Sequence, residues 1–423
     1  MEVAVVDVDL LLTGIGQLVP VALSPAPGRP HRGPLRELPV IPDGAVAISG
    51  ERIARLGPRA EVARAVRPRQ VLDCGGRVVL PGFVDPHTHL PWVGSREDEF
   101  EERLRGVSYA EIAGRGGGIR ATTRRVRGAD AEAICAAARP RLRRMLAHGT
   151  TTAEAKSGYG LELGVERRQL EAIARLGQEQ PLELAATNMA AHEVPDEWRR
   201  DRAGWVARLC DEVLPALRPL AEFADVFCEA HVFGVEESRR ILLRARELGY
   251  RLKLHADELE DTGGAALAAE VGAVSADHLA CTGPAGIAAL AASDTVAVLL
   301  PGTSFYLGKG KHAPARAMLD AGVAVALATD LNPGSSLTES MPMILTLACV
   351  NLKLTPAEAL VAGTLNAACA IARGHDRGSL EPGKLADLVV WDAPSWRYLP
   401  SHFGVSLVHS VIKRGRVVWE GAT

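Results

Sequence analysis

Several features that mark particular classes of protein are missing from this chain of 423 residues. The formal net charge is only −3, so no excess of positive charge indicates binding to nucleic acid or to an anionic membrane. No run of 18 uncharged apolar residues occurs, and the sequence therefore predicts no membrane-spanning helix. Disorder is excluded because 47% hydrophobic residues with a small net charge are typical of a chain that folds.

Cysteine and lysine are both scarce. The seven cysteines are odd in number, widely spread and form no CxxC pair, which argues against a disulfide framework and against a thiolate metal site. Their pattern predicts a reducing cytosolic compartment. Only seven of the 48 basic residues are lysine, a bias more typical of a GC-rich genome than of phosphate binding. The apolar N-terminus carries acidic residues and no basic flank, which favours a strand over a secretory signal.

Both ends of the chain have the pattern of short strands and turns. Residues 45–57, AVAISGERIARLG, alternate apolar and polar side chains around Ser49 and Gly50, which predicts a β-hairpin. The stretches GSLEPGKLADLVVWDAP and VSLVHSVIKRGRVVWEG have the same character near the other end. We therefore predict one small composite β domain, a sandwich built from residues 1–80 and 376–423.

Between these segments, eight apolar runs alternate with stretches that place apolar residues at helical spacing. Eight such strands, most of them followed by a helix, predict an α/β fold in which residues 81–375 form a (β/α)8 barrel of the TIM type. A doubly wound open sheet is the structural alternative. It is disfavoured because no G-x-G-x-x-G follows the first strand.

Ionisable and polar side chains stand where the predicted strands end. They are His87 and His89, then Tyr159, His192, Glu229, His255 with Glu258, Asp277 with His278, and Asp330. Side chains at the carboxyl ends of barrel strands point into the catalytic mouth. A purely structural protein has no reason to gather so many groups that are costly to bury.

A metal site is the strongest prediction from these residues. His87 and His89 are alternate residues of one strand and share a face, so both imidazoles can bind one ion. With His255 and Asp330 they offer three nitrogens and one oxygen, a set that suits Zn²⁺, or Fe²⁺, and leaves room for water. The alternative is a group of hydrogen-bonded core histidines.

Glu258 and His278 are the candidates for orienting that water and moving its proton. A metal of this kind lowers the pKa of a bound water from 15.7 to about 7. For Glu258 the alternative is a carboxylate that interacts with a helix N-terminus. For His278 the alternative is a hydrogen bond to one of the metal ligands.

Longer stretches of the sequence resemble a known family. PGFVDPHTHL, KLHADE, SADHL and ALATDLNPGSS are similar to the metal-binding segments of the amidohydrolase superfamily. KSGYGL, HADE and DLNPGSS together resemble the imidazolonepropionase family within it, and similar stretches follow in family order from residue 75 to 410. The resemblance implies a distorted (β/α)8 barrel with a composite β domain, one Zn or Fe ion per chain, and a homodimer.

The resemblance also implies an activity and the residues that perform it. The family hydrolyses a cyclic amide C–N bond of 4-imidazolone-5-propanoate, giving N-formimidoyl-L-glutamate in histidine degradation. By matching motif, the metal ligands would be His87, His89, His255 and Asp330. The substrate contacts would be Arg96, Tyr159, His192, Glu258, Asn332, Gly334 and Ser335.

These roles predict a mechanism of metal-assisted hydrolysis. Hydroxide held by the metal attacks the ring carbonyl, and the metal and His278 stabilise the developing oxyanion. Asp330 accepts the proton of the water, and Glu258 holds the ring nitrogens. Arg96 binds the carboxylate arm of this small substrate, while the stretch from Asn332 to Ser335 offers an amide and backbone donors, or is merely a turn.

Some residues depart from the family pattern, and two other functions compete. His231 and the pair Pro91-Trp92 look unusual beside the mouth, and Glu229 offers a carboxylate that could bridge to a second metal. One competitor is a deaminase of a cytosine- or guanine-like base, which has no need of Arg96. The other is a catalytically silent barrel that serves as a scaffold, which is expected to have lost at least one of the four ligands.

Overall fold

The computed structural model describes residues 5–23, 26, 28–308 and 310–421. Sixteen strands occur in this part of the chain. In chain order they are β1 (Val6–Leu18), β2 (Ile41–Ser49), β3 (Arg52–Pro58), β4 (Val66–Asp73), β5 (Val78–Pro81), β6 (Phe83–Asp85), β7 (Thr150–Lys156), β8 (Glu183–Ala191), β9 (Phe223–Cys228), β10 (Arg251–Ala256), β11 (Ser275–His278), β12 (Val296–Leu299), β13 (Val325–Leu327), β14 (Leu388–Trp391), β15 (Val408–Lys413) and β16 (Arg416–Glu420).

Sixteen α-helices lie in the same ranges, most of them between barrel strands. They are α1 (Arg59–Ala65), α2 (Glu97–Leu104), α3 (Tyr109–Gly114), α4 (Ile119–Arg127), α5 (Ala131–Ala147), α6 (Leu163–Glu179), α7 (Arg202–Arg208), α8 (Leu214–Leu217), α9 (Val235–Glu247), α10 (Gly264–Glu270), α11 (Pro284–Ala291), α12 (Pro301–Tyr306), α13 (Ala315–Asp320), α14 (Met341–Asn351), α15 (Pro356–Ala362) and α16 (Leu365–Ala370). Among the described residues, no helix is both long and apolar enough to cross a membrane.

The eight predicted runs of the central region form one parallel sheet that is nearly closed. Strands β6 to β13 pair in sequence order, each with the next. At the carboxyl end, β6 and β13 continue into segments that meet through a parallel bridge between Thr88 and Leu331, and the backbone N–H of His89 donates to the carbonyl of Leu331 at 2.9 Å. The predicted (β/α)8 fold is therefore confirmed, and the open-sheet alternative is wrong.

A separate mixed sheet combines strands from both chain ends. Its order is β16-β15-β14-β5-β1-β2-β3, and β4 also pairs with β1. The predicted hairpin is confirmed, because β2 and β3 pair antiparallel on either side of Gly50, and the predicted N-terminal strand is β1. The first predicted run divides at Gly82, so that β5 belongs to this sheet while β6 begins the barrel. The domain limits at residues 80 and 376 stay a prediction.

The two sheets meet at the amino-terminal side of the barrel. The rings of Phe83 and Trp391 lie 5.4 Å apart between centroids. Glu183, the first residue of β8, forms ion pairs with Arg377 at 2.7 Å and with Arg414 at 3.0 Å. This junction leaves the opposite, carboxyl end of the barrel open for a site.

Candidate active site

The four predicted metal ligands come together at the carboxyl end of the barrel. Asp330 Oδ1 lies 3.5 Å from His87 Nε2 and 3.7 Å from His89 Nε2. The Nε2 atoms of His89 and His255 are 3.4 Å apart. All four side chains are buried. The strand ends thus converge as the sequence predicted, although their role as ligands stays a prediction.

The spacing of these atoms fits a tetrahedral ion. Zn²⁺ binds imidazole nitrogen at about 2.0–2.1 Å, so neighbouring ligand atoms of a tetrahedral site lie about 3.4 Å apart. His87 Nε2 is also a buried atom with no hydrogen-bond partner in the described structure, as expected of a nitrogen that donates its lone pair to an ion. The cluster therefore fits one bound metal ion, and His87, His89 and Asp330 form one of the two groups of described residues that could hold it.

His278 belongs to the second such group, with His87 and His255. It ends β11, and its backbone φ of 76° lies in the left-handed region, as does the φ of 52° at Asp330. Non-glycine residues adopt this conformation at a cost and only when the surrounding structure holds them there. The surrounding structure therefore holds the backbone of His278 and Asp330 in a strained conformation, and both side chains belong to the cluster.

Two aspartates fix the orientation of two of the histidines. His87 Nδ1 donates to Asp277 at 2.6 Å, and His255 Nδ1 donates to Asp225 at 3.0 Å. Because a carboxylate only accepts, each ring carries its proton on Nδ1 and presents a bare Nε2 to the centre. Sequence reasoning missed Asp225, although a lone charge within the apolar run of β9 was a signal for it.

Burial sets the protonation of the histidines. It lowers the pKa of His87 and of His89 well below the usual value, with like charges from Lys156 on the first and from His192 on the second adding to the effect. It also lowers the pKa of His192 to about 3, assisted by His255. All three imidazoles are therefore neutral at pH 7, the form that binds a metal or accepts a hydrogen bond.

Asp330 is held by one strong hydrogen bond. The hydroxyl of Thr303 donates to Asp330 Oδ2 at 2.6 Å, which leaves Oδ1 facing the histidines. Burial raises the pKa of Asp330 to about 7, although the bond from Thr303 opposes that change. A carboxyl group with such a pKa exchanges a proton readily near neutral pH.

A cavity of about 1070 Å³ opens above the cluster. Every predicted substrate contact lines it: Arg96, Tyr159, His192, Glu258, Asn332, Gly334 and Ser335. Arg96 is buried and pairs with Glu99 at 2.7 Å. A Cβ on Gly334 would come within 2.1 Å of its guanidinium, so only glycine at 334 permits this placement of Arg96.

Tyr159 and His192 form the wall of the cavity beside His89. His192 Nδ1 donates to the carbonyl of Gly158 at 2.9 Å, so its Nε2 is an acceptor. The ring of His192 stacks on that of His89, with centroids 4.9 Å apart and planes at 22°. The Gly158 backbone has φ of 107°, which explains why a glycine precedes Tyr159 in this sharp loop.

The stretch from Asn332 to Ser335 is a turn closed by its own first side chain. The backbone N–H groups of Gly334 and Ser335 both donate to Asn332 Oδ1 at 2.8 Å. These donors are therefore engaged within the turn, and contact of Gly334 and Ser335 with a substrate stays a prediction. The loop turns its N–H groups towards Asn332. The carbonyl of Gly334 accepts a hydrogen bond from the guanidinium of Arg103 at 3.0 Å.

Glu258 and His278 lie side by side, with 3.6 Å between Glu258 Oε2 and His278 Nδ1, and both line the cavity. Helix α10 begins only at Gly264, so the alternative that places Glu258 at a helix N-terminus is wrong. His231 also lines the cavity.

Glu229 and Trp92, which also stand out in the sequence, have partners outside the cluster. Glu229 is buried and accepts a hydrogen bond from the backbone of Leu259 at 2.9 Å, and neither metal-binding group of the described residues includes it. Trp92 packs beneath Arg141, whose guanidinium lies 3.3 Å from the ring centroid. Neither observation indicates a second metal.

Comparison with known proteins agrees with this geometry. The model of the amidohydrolase family matches residues 78–418. The imidazolonepropionase of Symbiobacterium thermophilum is 50% identical over 418 residues, which cover 97% of each chain. The imidazolonepropionase of Bacillus cereus is 48% identical over 413 residues, again covering 97% of each.

Solved structures share the fold at much lower identity. An adenosine deaminase from Xanthomonas campestris with bound zinc gives a TM-score of 0.72 at 21% identity, over 98% of this chain and 93% of that one. The guanine deaminase of E. coli gives a TM-score of 0.69 at 17% identity, over 97% of this chain and 99% of that one. The chain belongs to the amidohydrolase family and, within it, to the imidazolonepropionases.

Proposed function

We propose that the protein hydrolyses 4-imidazolone-5-propanoate to N-formimidoyl-L-glutamate. The observation that carries the proposal is one cavity that joins a cluster of three histidines and an aspartate to a buried arginine. A ring carbonyl needs the first of these features, and a propionate arm needs the second. A neutral purine or pyrimidine base has no group for Arg96, so deamination of such a base is disfavoured.

His87, His89, His255 and Asp330 would hold one Zn²⁺ or iron ion, because imidazole and carboxylate ligands suit either metal. When bound, such an ion acts as a Lewis acid and lowers the pKa of a water molecule from 15.7 to about 7. The metal content of the purified protein distinguishes zinc from iron.

The protein's own side chains supply binding and proton transfer. Arg96 binds the substrate carboxylate with two parallel hydrogen bonds, and Tyr159 orients the arm, while His192 accepts a hydrogen bond from the substrate through Nε2. Asp330 accepts the proton of the attacking water, while the hydroxyl of Thr303 holds its carboxylate in place through Oδ2. These contacts fix the ring carbonyl beside the cluster before the water attacks.

Glu258 and His278, which lie side by side in the cavity, act on the substrate ring. His278 donates a hydrogen bond to the oxygen that becomes negative as the carbonyl is attacked. Glu258 binds the ring nitrogens and relays to the departing nitrogen the proton that Asp330 has taken from the water. The ring C–N bond opens, and the formimidoyl group stays on nitrogen.

The test is an ultraviolet assay in which urocanate and urocanase generate the unstable imidazolone in place. Native, chelator-stripped and zinc-restored protein are compared. We expect the imidazolone absorbance to fall with native protein, to persist after stripping and to fall again once zinc is restored. Persistence with protein that holds one metal per chain would contradict the imidazolone substrate while leaving the metal site intact.

We also propose a homodimer in the cytoplasm. All seven cysteines are free, as a reducing compartment allows, and relatives of nearly identical length carry the same enzyme name. Light scattering after size-exclusion chromatography measures the mass in solution, and a mass of one chain would contradict the dimer.

A further inference from the structure

A cluster of buried charged side chains lies inside the barrel, directly beneath the histidines. We call Glu154, Lys156, Asp225, Lys253 and Asp277 the buried ion cluster. Their side chains come from strands β7, β9, β10 and β11, and four are fully buried while Asp225 is 2% exposed. Burying ions costs several kcal/mol each even after pairing. Apolar residues commonly fill the interior of such a barrel, so this departure calls for a functional reason.

Lys156 contacts three carboxylates at once. Its Nζ lies 2.6 Å from Glu154 Oε1, 2.7 Å from Asp225 Oδ2 and 3.8 Å from Asp277 Oδ2. The last two are the aspartates that orient His255 and His87. One ammonium group therefore touches the partners of two histidines that stand on different strands.

The second lysine of the cluster has other contacts. Lys253 Nζ donates to the hydroxyl of Ser275 at 2.7 Å and to the carbonyl of Pro86 at 3.2 Å. Its Nζ lies 3.5 Å from Asp277 Oδ2. Among the described contacts only Lys156 joins both aspartates, and Lys253 contacts Asp277 alone of the two.

We infer that Lys156 is a positioning residue for the metal centre, which holds Asp225 and Asp277 so that His255 and His87 present Nε2 at ligand distance. The inference rests on the proposed metal site but not on the identity of the substrate. Without the ammonium, Asp225 loses its lysine partner and is repelled by the neighbouring carboxylate of Glu154, whereas Asp277 keeps Lys253 at 3.5 Å. The imidazole of His255 then loses its fixed proton position and direction, and that of His87 is held less firmly.

The test measures metal binding rather than turnover. Zn²⁺ affinity of the Lys156→Met variant is determined by competition with a chromogenic chelator, and the visible absorption of the Co²⁺-substituted protein reports the ligand geometry. Outer contacts of metal ligands typically change affinity 10–100-fold, so we expect Zn²⁺ to bind at least about tenfold more weakly. The cobalt bands should shift, and kcat should fall far more than KM changes.

The matched control is Lys413→Met. Lys413 is a buried lysine that pairs with Asp387 at 2.6 Å, at the junction of the two sheets. Its loss should lower the melting temperature as the loss of Lys156 does, but Zn²⁺ affinity and the cobalt spectrum should match the wild type.

Folded Lys156→Met protein with wild-type Zn²⁺ affinity and cobalt bands would overturn the inference. If that variant does not fold, Lys156→Gln takes its place: an amide can bond to one of the carboxylates, and an intermediate loss of affinity is expected, whereas unchanged affinity again overturns the inference. Wild-type protein that holds no Zn²⁺ would instead contradict the proposed metal site, so the two failures are distinguishable.

Discussion

The two eight-stranded sheets both contain fully buried side chains, but the chemistry of those side chains differs. The separate sheet encloses aliphatic residues such as Leu12, Ile15 and Leu388, all fully buried. The barrel encloses charges at the same depth, among them Lys156 and Asp277. Aliphatic burial stabilises a fold directly, whereas buried ions do so only when each one is paired. Depth alone therefore does not separate the region that holds the chain together from the region that performs chemistry.

The largest effect is expected from removing a buried charge in the barrel. The substitution Asp330→Asn keeps the side-chain volume and removes the negative charge. We expect turnover to fall by at least about 1,000-fold, equal to about 4 kcal/mol, because one ligand and the acceptor of the water proton are lost together. The melting temperature should change little. Steady-state kinetics and metal analysis of the purified variant check this, and wild-type kcat would remove Asp330 from both roles.

In the separate sheet, removal of a buried aliphatic side chain should lower the stability of the fold and leave catalysis unchanged. Leu12 is fully buried in β1, where it pairs with Val46 and Leu72. Leu12→Ala should cost about 2–5 kcal/mol through lost burial and the cavity that remains, with unchanged kcat and Zn²⁺ affinity. Urea unfolding followed by circular dichroism measures the change in the free energy of unfolding. Val417→Ala, at a site 41% exposed in β16, is the control and should cost little.

Within the cavity, Arg96 tests binding separately from chemistry. Arg96→Ala should raise KM about ten- to hundredfold, because a charged hydrogen-bonding partner of the substrate carboxylate is lost, and kcat should change less. Arg105→Ala, at the exposed end of the same helix α2, is the matched control and should behave as the wild type. Unchanged KM in the Arg96 variant would contradict the proposed carboxylate contact.

The smallest effect is expected where the two sheets meet. Although burial alone would raise it, Arg377 and Lys413 lower the pKa of Glu183 to about 2. A carboxyl group with a lowered pKa in the folded state contributes stability above its unfolded value of 4.5, and this contribution is lost as the pH falls from there towards 2. The fall of the pKa from 4.5 to about 2 corresponds to at most about 3 kcal/mol, and solvent screening of the partly exposed side chain reduces it. Glu183→Gln should therefore destabilise the protein by about 2 kcal/mol at pH 7.

The pH dependence of that effect is its check. Thermal unfolding of wild type and variant at pH 7, 5 and 4 should show a difference in melting temperature that is constant down to about pH 5 and shrinks below it. A difference that does not change with pH would mean that Glu183 acts through packing rather than through its charge.

Much of the architecture followed from local pattern. The eight apolar runs predicted the barrel strands because a parallel strand covered on both faces is apolar throughout. His87, His89, His255 and Asp330 could be grouped because each stands where a run ends. Lys156 and Asp225 were missed, since a single charge inside a strand does not reveal which distant charge it meets. Asn332 was recognised as part of a turn, but the direction of the N–H groups beside it depends on a local hydrogen bond.

The sequence by itself determined the number and order of the barrel strands, the residues at their ends and the family. Only the tertiary structure decided that His278 lies within reach of the metal-binding cluster and that Glu258 is at its side rather than at a helix end. It also decided that one ammonium group joins the aspartates behind two of the histidines. The physical reason is that periodicity and strand ends are properties of neighbours in the chain, whereas the pairing of buried charges depends on which strands the closed barrel brings together.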